Sequence, residues 1–372
     1  MKVLLRLHTY VGLSIGLLLA LIGLTGSLIV FGDELDKWLN PQILKVEPRG
    51  EQASAQGMLD AVRAAYPNEK LGRIRLPREA HDAAEICFDA RREPRCVYVD
   101  PYSSAVLGER VPAHSFKGRL VSLHRRLLSG EVGETIIGVC GLLLLTLALS
   151  GLFLWLPGSR RLRIKRGAGR YRTNFDLHRA VGICALIFLA ISGATGAAMV
   201  FRPTFEKALN RFSTKTVPAE KPASTVVDGA APLPLDDVLA RAREALPGAV
   251  VTNVNLPATT AAPFVVRQRQ ASEWHESGRT LVYLDQYSGA VLKVEDPVQA
   301  PVGTRAANNL FTIHTGRLGG NWTRALQVLV GFAPATLFTT GFMMWLSRLK
   351  GRRRRRPFTD AREERPETVE AL

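Results

Sequence analysis

The chain has 372 residues, a formal net charge of +16 and 47% apolar residues, and the apolar residues gather into four long runs. Four runs of this length exclude a soluble domain with ordinary buried helices. The basic residues sit beside the runs, so topology accounts for the charge and nucleic acid is excluded as a partner.

Residues 1–31 form the first element. Lys2 and Arg6 precede an apolar run over about 9–31, where a bilayer needs roughly 20 apolar residues. Its length and the lack of a small-residue cleavage site predict a retained anchor rather than a signal peptide. His8 opens it, in LHTYVGLSIGLLLALIGLTGSLIVF. Residues 32–120 are polar and predict a small α+β domain. The helix-like stretch QGMLDAVRAAYP is followed by strand-like runs ending in CVYVDPYSSAVLGE. Cys87 and Cys96 flank a turn in ICFDARREPRCVYV. A hairpin there would set them opposite each other, and both a disulfide and two free thiols remain open.

Residues 121–157 carry His124, in LVSLHRRLL, and a second run over about 134–156 ending in LFLWLP. An unbroken helix from His124 to Leu156 would span about 48 Å, against a hydrocarbon core of about 30 Å. The sequence therefore predicts a short interfacial helix holding His124 and a break at Gly130/Gly133. Residues 158–174 form a short basic loop with Arg160, Arg161, Arg163, Lys165, Arg166, Arg170 and Arg172.

Residues 175–201 hold the third run, over about 179–201, opened by His178 in LHRAVGICALIFLAISGATGAAMVF. Residues 202–310 are a second small polar domain, with LDDVLARAREALP and LVYLDQYSGAVLKVE, and 213–234 reads as a linker. Residues 311–347 repeat the earlier arrangement: His314 in LFTIHTGRL, a break at Gly319/Gly320, and a run over about 324–346 ending in FMMWLS. The tail 348–372 contains Arg348, Lys350 and Arg352 to Arg356. The positive-inside rule puts both termini and the basic loop in the cytoplasm and both polar domains outside. Cys140 and Cys184 lie inside the runs and are expected to be small packing residues.

The two halves match. Aligning His8 with His178 also aligns Gly12 with Gly182, Gly23 with Gly193, and Thr25-Gly26 with Thr195-Gly196. Aligning His124 with His314 pairs Gly130 with Gly320, Gly141 with Gly331, Gly151 with Gly341 and Trp155 with Trp345. The fold class expected is a mainly α membrane protein, with four transmembrane helices in two parallel repeats and two small α+β external domains. The glycines suit close helix packing and equally a flat macrocycle against backbone. Interfacial anchoring is a sufficient reason for Trp155 and Trp345.

The YVDPYSSAVLG and YLDQYSGAVL hairpins resemble the PepSY domain. The spans with histidines at their entrances resemble the PepSY-associated transmembrane family of bacterial inner-membrane proteins, over roughly 1–350. Some members of that family are linked to iron acquisition, including a di-haem ferrisiderophore reductase acting on ferrioxamine. The resemblance implies an inner-membrane location, periplasmic PepSY-like domains and a ferric siderophore or other ferric complex as substrate.

Topology sorts the histidines by face. His8 and His178 fall near the cytoplasm, His124 and His314 near the periplasm. Two bis-histidine haems need one such pair per face, each pair drawing one ligand from each half. No CxxCH occurs, so the haems are expected to be b-type. His81, His114 and His275 lack matched partners and are expected at the surface, with His275 a weak metal or substrate contact. No nucleotide motif occurs, so electrons are expected from quinol or a cytoplasmic reductase. No catalytic side chain is singled out. From a different class, the alternative is a non-catalytic membrane-anchored PepSY binding or regulatory module.

Overall fold

The computed structural model describes residues 1–89, 93–156, 169–213 and 222–354, of which 351–354 by backbone alone. The loop residues Arg160, Arg161, Arg163, Lys165 and Arg166, part of the linker and the tail beyond Arg354 lie outside the described residues.

Helix α1 (Lys2–Val30) leads through two short helices, α2 (Gly32–Leu39) and α3 (Pro41–Leu44), to α4 (Ala55–Ala65). Four strands follow: β1 (Leu71–Arg75), β2 (Ala84–Phe88), β3 (Cys96–Val99) and β4 (Val106–Arg110). Helix α5 (Phe116–Arg126) returns to α1, and α6 (Gly130–Trp155) runs beside it. The second half has the same order of elements. It runs α7 (Arg170–Val200), α8 (Arg202–Asn210), α9 (Leu235–Ala245), then β5 (Val250–Asn255), β6 (Phe264–Arg269), β7 (Thr280–Leu284) and β8 (Val291–Glu295). Helix α10 (Val302–His314), a 3-10 turn at Arg317–Gly319 and α11 (Gly320–Arg354) complete it.

Helices α1, α6, α7 and α11 are each long and apolar enough to cross a membrane. A helix bonds its own backbone, which is what a lipid interior demands. Their outward faces are apolar, with Leu17, Phe153, Ile187 and Leu329 exposed. Cys184 belongs to this exposed surface, while Cys140 is buried, so only Cys140 is the packing residue expected.

Glycines set the two close crossings between the halves. A methyl on Gly141 would meet the Gly193 carbonyl at 2.8 Å, and one on Gly331 would meet the Gly23 carbonyl at 2.6 Å. Backbones approach this closely only where no side chain intervenes.

The predicted breaks occur, with one shift. Between α5 and α6, Leu127 and Leu128 have φ of 49° and 57°, and Gly130 has φ of 60°. Between α10 and α11, Gly316 and Gly320 have φ of 72° and 64°. Gly133 is not part of the break; it lies inside α6, where the Arg126 carbonyl packs against its bare Cα.

The eight strands form one antiparallel sheet in the order β4-β3-β2-β1-β5-β6-β7-β8. The two polar segments, expected as separate domains, therefore share one sheet. The joint is β1 on β5, with Ile74 opposite Val254. One face is covered by α4 and α9, whose Met58, Leu59, Val62, Leu235, Val238 and Leu239 bury against Ile74, Ile86, Val254 and Val266. The helices cap each other across the joint. Asp236 accepts from the Ala55 N–H at 2.8 Å, and Gln56 Oε1 accepts from the Leu235 N–H at 2.8 Å. A side-chain cap of this kind contributes about 1 kcal/mol. The opposite face is covered partly by α3, through Ile43 and Leu44 on Tyr98 and a Cys87–Cys96 disulfide. The disulfide staples β2 to β3 in register. Glu85 sits near both sulfurs, but the sulfurs bond each other and form no metal centre.

Candidate functional site

All four matched histidines meet in pairs inside the bundle. His8 on α1 faces His178 on α7, with ring centroids 6.3 Å apart and planes at 82°. His124 on α5 faces His314 on α10, also at 6.3 Å, with planes at 56°. The first pair lies at the end of the bundle distal from the sheet, the second at the sheet side. Each pair takes one residue from each half. A metal held by two opposed imidazoles at about 2 Å from each nitrogen sets the centroids about 6 Å apart.

One hydroxyl orients each ring. His8 Nδ1 lies 2.8 Å from Ser150 Oγ, and His178 Nδ1 lies 2.9 Å from Thr340 Oγ1. His124 Nδ1 is 3.2 Å from Thr25 Oγ1, and His314 Nδ1 is 2.9 Å from Thr195 Oγ1. Each hydroxyl already donates its hydrogen to its own helix: Ser150 to Leu147 O at 3.1 Å, Thr340 to Thr336 O at 2.7 Å, Thr25 to Leu21 O at 2.8 Å and Thr195 to Ile191 O at 2.6 Å. Toward histidine it can therefore only accept. The hydrogen-bond network assigns the imidazole proton to Nδ1 in all four rings. Nε2 is left with a free lone pair, which is the arrangement a metal-ligating histidine requires. His124 has a second acceptor, the Ile22 carbonyl at 2.9 Å.

A glycine follows each hydroxyl residue, and its bare Cα makes room for the ring. A Cβ on Gly26 would stand 2.9 Å from the His124 ring, and one on Gly196 3.3 Å from the His314 ring. The corresponding distances are 3.4 Å for Gly151 and His8, and 3.5 Å for Gly341 and His178. Of the matched glycines, Gly23, Gly141, Gly193 and Gly331 bring helices together as expected, whereas Gly26, Gly151, Gly196 and Gly341 have a role not expected, seating the histidine rings. The supporting Ser/Thr-Gly dipeptides were missed as site residues. Their signal was visible: at least one stands in each of the four runs, with Ser192-Gly193 a second in the third, and the supporting four match between halves.

A cavity of ≈ 340 Å³ opens beside the distal pair, within the about 300–1,000 Å³ of cofactor pockets. Gly12 and Gly182 line it, with Leu337, Phe338, Trp155, Trp345, Arg179 and Arg348. The Trp155 Nε1–H is buried there without a partner, so the two tryptophans expected as membrane anchors are cavity walls. An apolar slot with two opposed imidazoles, small residues above and below and arginines in its lining fits a haem and its carboxylates.

The unmatched histidines divide. His81 and His114 are exposed, as expected. His275 is only partly exposed: it is half-buried, and its ring packs on Phe311 of α10 at 5.8 Å between centroids.

Four apolar helices and two internal histidine pairs define a multi-pass membrane protein with a site inside its bundle. The family described as PepSY-associated TM region matches residues 5–348, and the chain belongs to it. It is also 27% identical, over 250 residues, to an uncharacterized protein of Pseudomonas aeruginosa. That match covers 62% of this chain and 63% of the relative.

Proposed function

We propose that this protein is a bacterial inner-membrane di-haem b reductase that passes electrons across the bilayer to a ferric complex, a ferrisiderophore, in the periplasm. The observation that carries the reading is the Nδ1 hydrogen bond made by all four paired histidines, which leaves four Nε2 lone pairs in two facing sets. His8 and His178 would ligate one b-type haem, His124 and His314 the other. Haem iron supplies a one-electron couple. The chain's own part is to hold each ring in one tautomer and, at the distal pair, to supply an apolar slot.

The net reaction reduces one ferric ion by one electron. A quinol donor would release two protons and supply two such electrons; a cytoplasmic reductase is the other source in keeping with the sequence. Reduction frees the iron because hard oxygen ligands hold ferric far better than ferrous iron. The orientation, with both termini and the basic loop cytoplasmic and the sheet periplasmic, rests on the arginine distribution. The parallel-repeat and PepSY-like domain readings rest on the matched order of elements in the two halves.

Protein purified from haem-replete cells should be red, with a Soret band, a reduced-minus-oxidised α band and two haems per chain. Colourless but folded protein would instead support the membrane-anchored binding module. Reporter fusions at residues 70 and 165 should give opposite signals, and like signals would overturn the assignment of faces.

A further inference from the structure

The β6–β7 loop, residues 270–279, leaves the sheet and reaches the helix that carries His314. His275 packs on Phe311, which stands about one helical turn before His314. Glu276 binds Arg78 Nη1 at 3.3 Å and also pairs with Arg317. Arg78 further donates to Ser277 Oγ at 2.7 Å, and Arg267 Nη1 donates to the Gly278 carbonyl at 3.3 Å. With Arg279, these put four guanidiniums around one short loop.

Their charges are unequally neutralised. Glu276 and Asp33, which pairs with Arg317 at 3.4 Å, together offset Arg78 and Arg317. Glu273 is held within the loop, accepting from the Gln270 N–H at 3.2 Å, from Thr280 Oγ1 at 2.5 Å and from the Arg279 N–H. Among the described residues, the guanidiniums of Arg267 and Arg279 form no contact ion pair; Glu273 alone acts on both by charge, and Arg279 Nε is buried without a partner. Burial pushes His275 down to about 4, and Arg279, Arg267, Arg78 and Arg317 push it the same way. The ring is therefore neutral at neutral pH. Its Nδ1 accepts from the Ser277 N–H at 3.2 Å, so Nε2–H is a donor. Along the sheet, Arg267 shares a cross-strand row through Asn253 with Arg75, whose charge is offset by Glu85 at 3.5 Å. Two guanidiniums facing one carboxylate, beside a neutral N–H donor, leave a net positive charge that recognises ionised oxygens and repels cations.

We propose that Arg267, Arg279 and the His275 Nε2–H form an anion-binding site on the sheet above the His124/His314 pair, and that the ferric complex is a polyanion held through catecholate or carboxylate oxygens. The substrate half rests on the reductase reading; the anion site does not.

Gallium(III) complexes test binding without electron transfer. A gallium tris-catecholate trianion and a neutral gallium trihydroxamate are titrated calorimetrically into full-length protein in phosphatidylcholine nanodiscs. The trianion should bind at least roughly tenfold more tightly, with the difference shrinking as salt rises. The R267Q/R279Q double variant should lose the preference, and R267K/R279K, which guards against a folding defect, should keep most of it. Equal affinity for the two complexes, or a preference that survives R267Q/R279Q, overturns the proposal. Loss of trianion binding on adding phosphatidylglycerol would assign the site to lipid headgroups and overturn the substrate half. If the trianion binds as expected but the protein never reduces ferric iron, the anion site stands and the reductase reading falls. Ferric reduction with no charge preference has the reverse consequence.

Discussion

The two histidine pairs use the same parts in exchanged places. At the distal pair, the histidines stand on α1 and α7 and the Ser/Thr-Gly supports on α6 and α11. At the sheet-side pair, the supports stand on α1 and α7 and the histidines on α5 and α10, outside the four spans. The distal rings are thus placed by bundle packing alone. The sheet-side rings are placed by two short helices whose directions depend on backbone breaks and on loops from the sheet. One site is built by the membrane domain, and the other is where membrane domain and sheet meet.

The largest expected effect tests the pairing itself. His8→Ala and His178→Ala should each lose one and the same haem, and His124→Ala and His314→Ala the other, leaving about one per chain in every single variant. Pyridine haemochrome assays on membranes with confirmed full-length protein measure this. If His8→Ala and His124→Ala depleted the same haem, the division into two sites would be wrong. If none of the four lost haem, the reductase reading would fall.

Glycine replacements come next. Gly341→Leu should fill the distal slot and remove that haem alone. Gly331→Leu, at the α1–α11 crossing, should lower the accumulation of folded protein instead, because its side chain meets backbone. Spectra that separate the two haems, with protein yield, distinguish these outcomes. Equal loss of both haems in Gly341→Leu would contradict separate slots.

A subtler contrast lies in the supports. Ser150→Ala removes the one partner seen for His8 Nδ1 among the described residues, whereas Thr25→Val leaves His124 its bond to the Ile22 carbonyl. Losing the acceptor weakens the donor character of Nε2, so the potential of the distal haem should rise in Ser150→Ala. The shift in Thr25→Val should be smaller, as read by redox titration. A larger shift in Thr25→Val would mean that the backbone carbonyl does not orient His124.

The smallest effect belongs to the breaks. Gly130→Ala forces an alanine to φ of about 60°, a strain of about 1 kcal/mol. The change should disturb only the His124/His314 site, seen as broadening of one haem signal in electron paramagnetic resonance. An equal disturbance at the distal site would show that the break is not local to α5.

Much of this was legible in sequence because it is periodic or local. Four apolar runs are long enough to span, and Gly130 and Gly320 stand where a helix of about 30 residues must bend to fit. The recurrence of His8 at His178 and of His124 at His314 named the candidate pairs, and their places in the runs put one pair at each end of the bundle. Other features depend on residues that meet only after folding. The Ser150 hydroxyl acts as an acceptor toward His8 because its hydrogen is already given to Leu147, which is a fact of helix geometry and rotamer. Gly23 and Gly26 look alike in sequence, yet one meets a neighbouring backbone and the other a histidine ring, because three residues turn a helix through most of a revolution. The merging of two four-stranded halves depended on β1 and β5 each presenting an unpaired edge, which no strand pattern reveals. His275 was placed at the surface because it has no repeat partner. Long-range packing carried it onto Phe311 among four arginines drawn from β1–β2, β6, the β6–β7 loop and the turn before α11, a convergence set by tertiary contact and not by spacing.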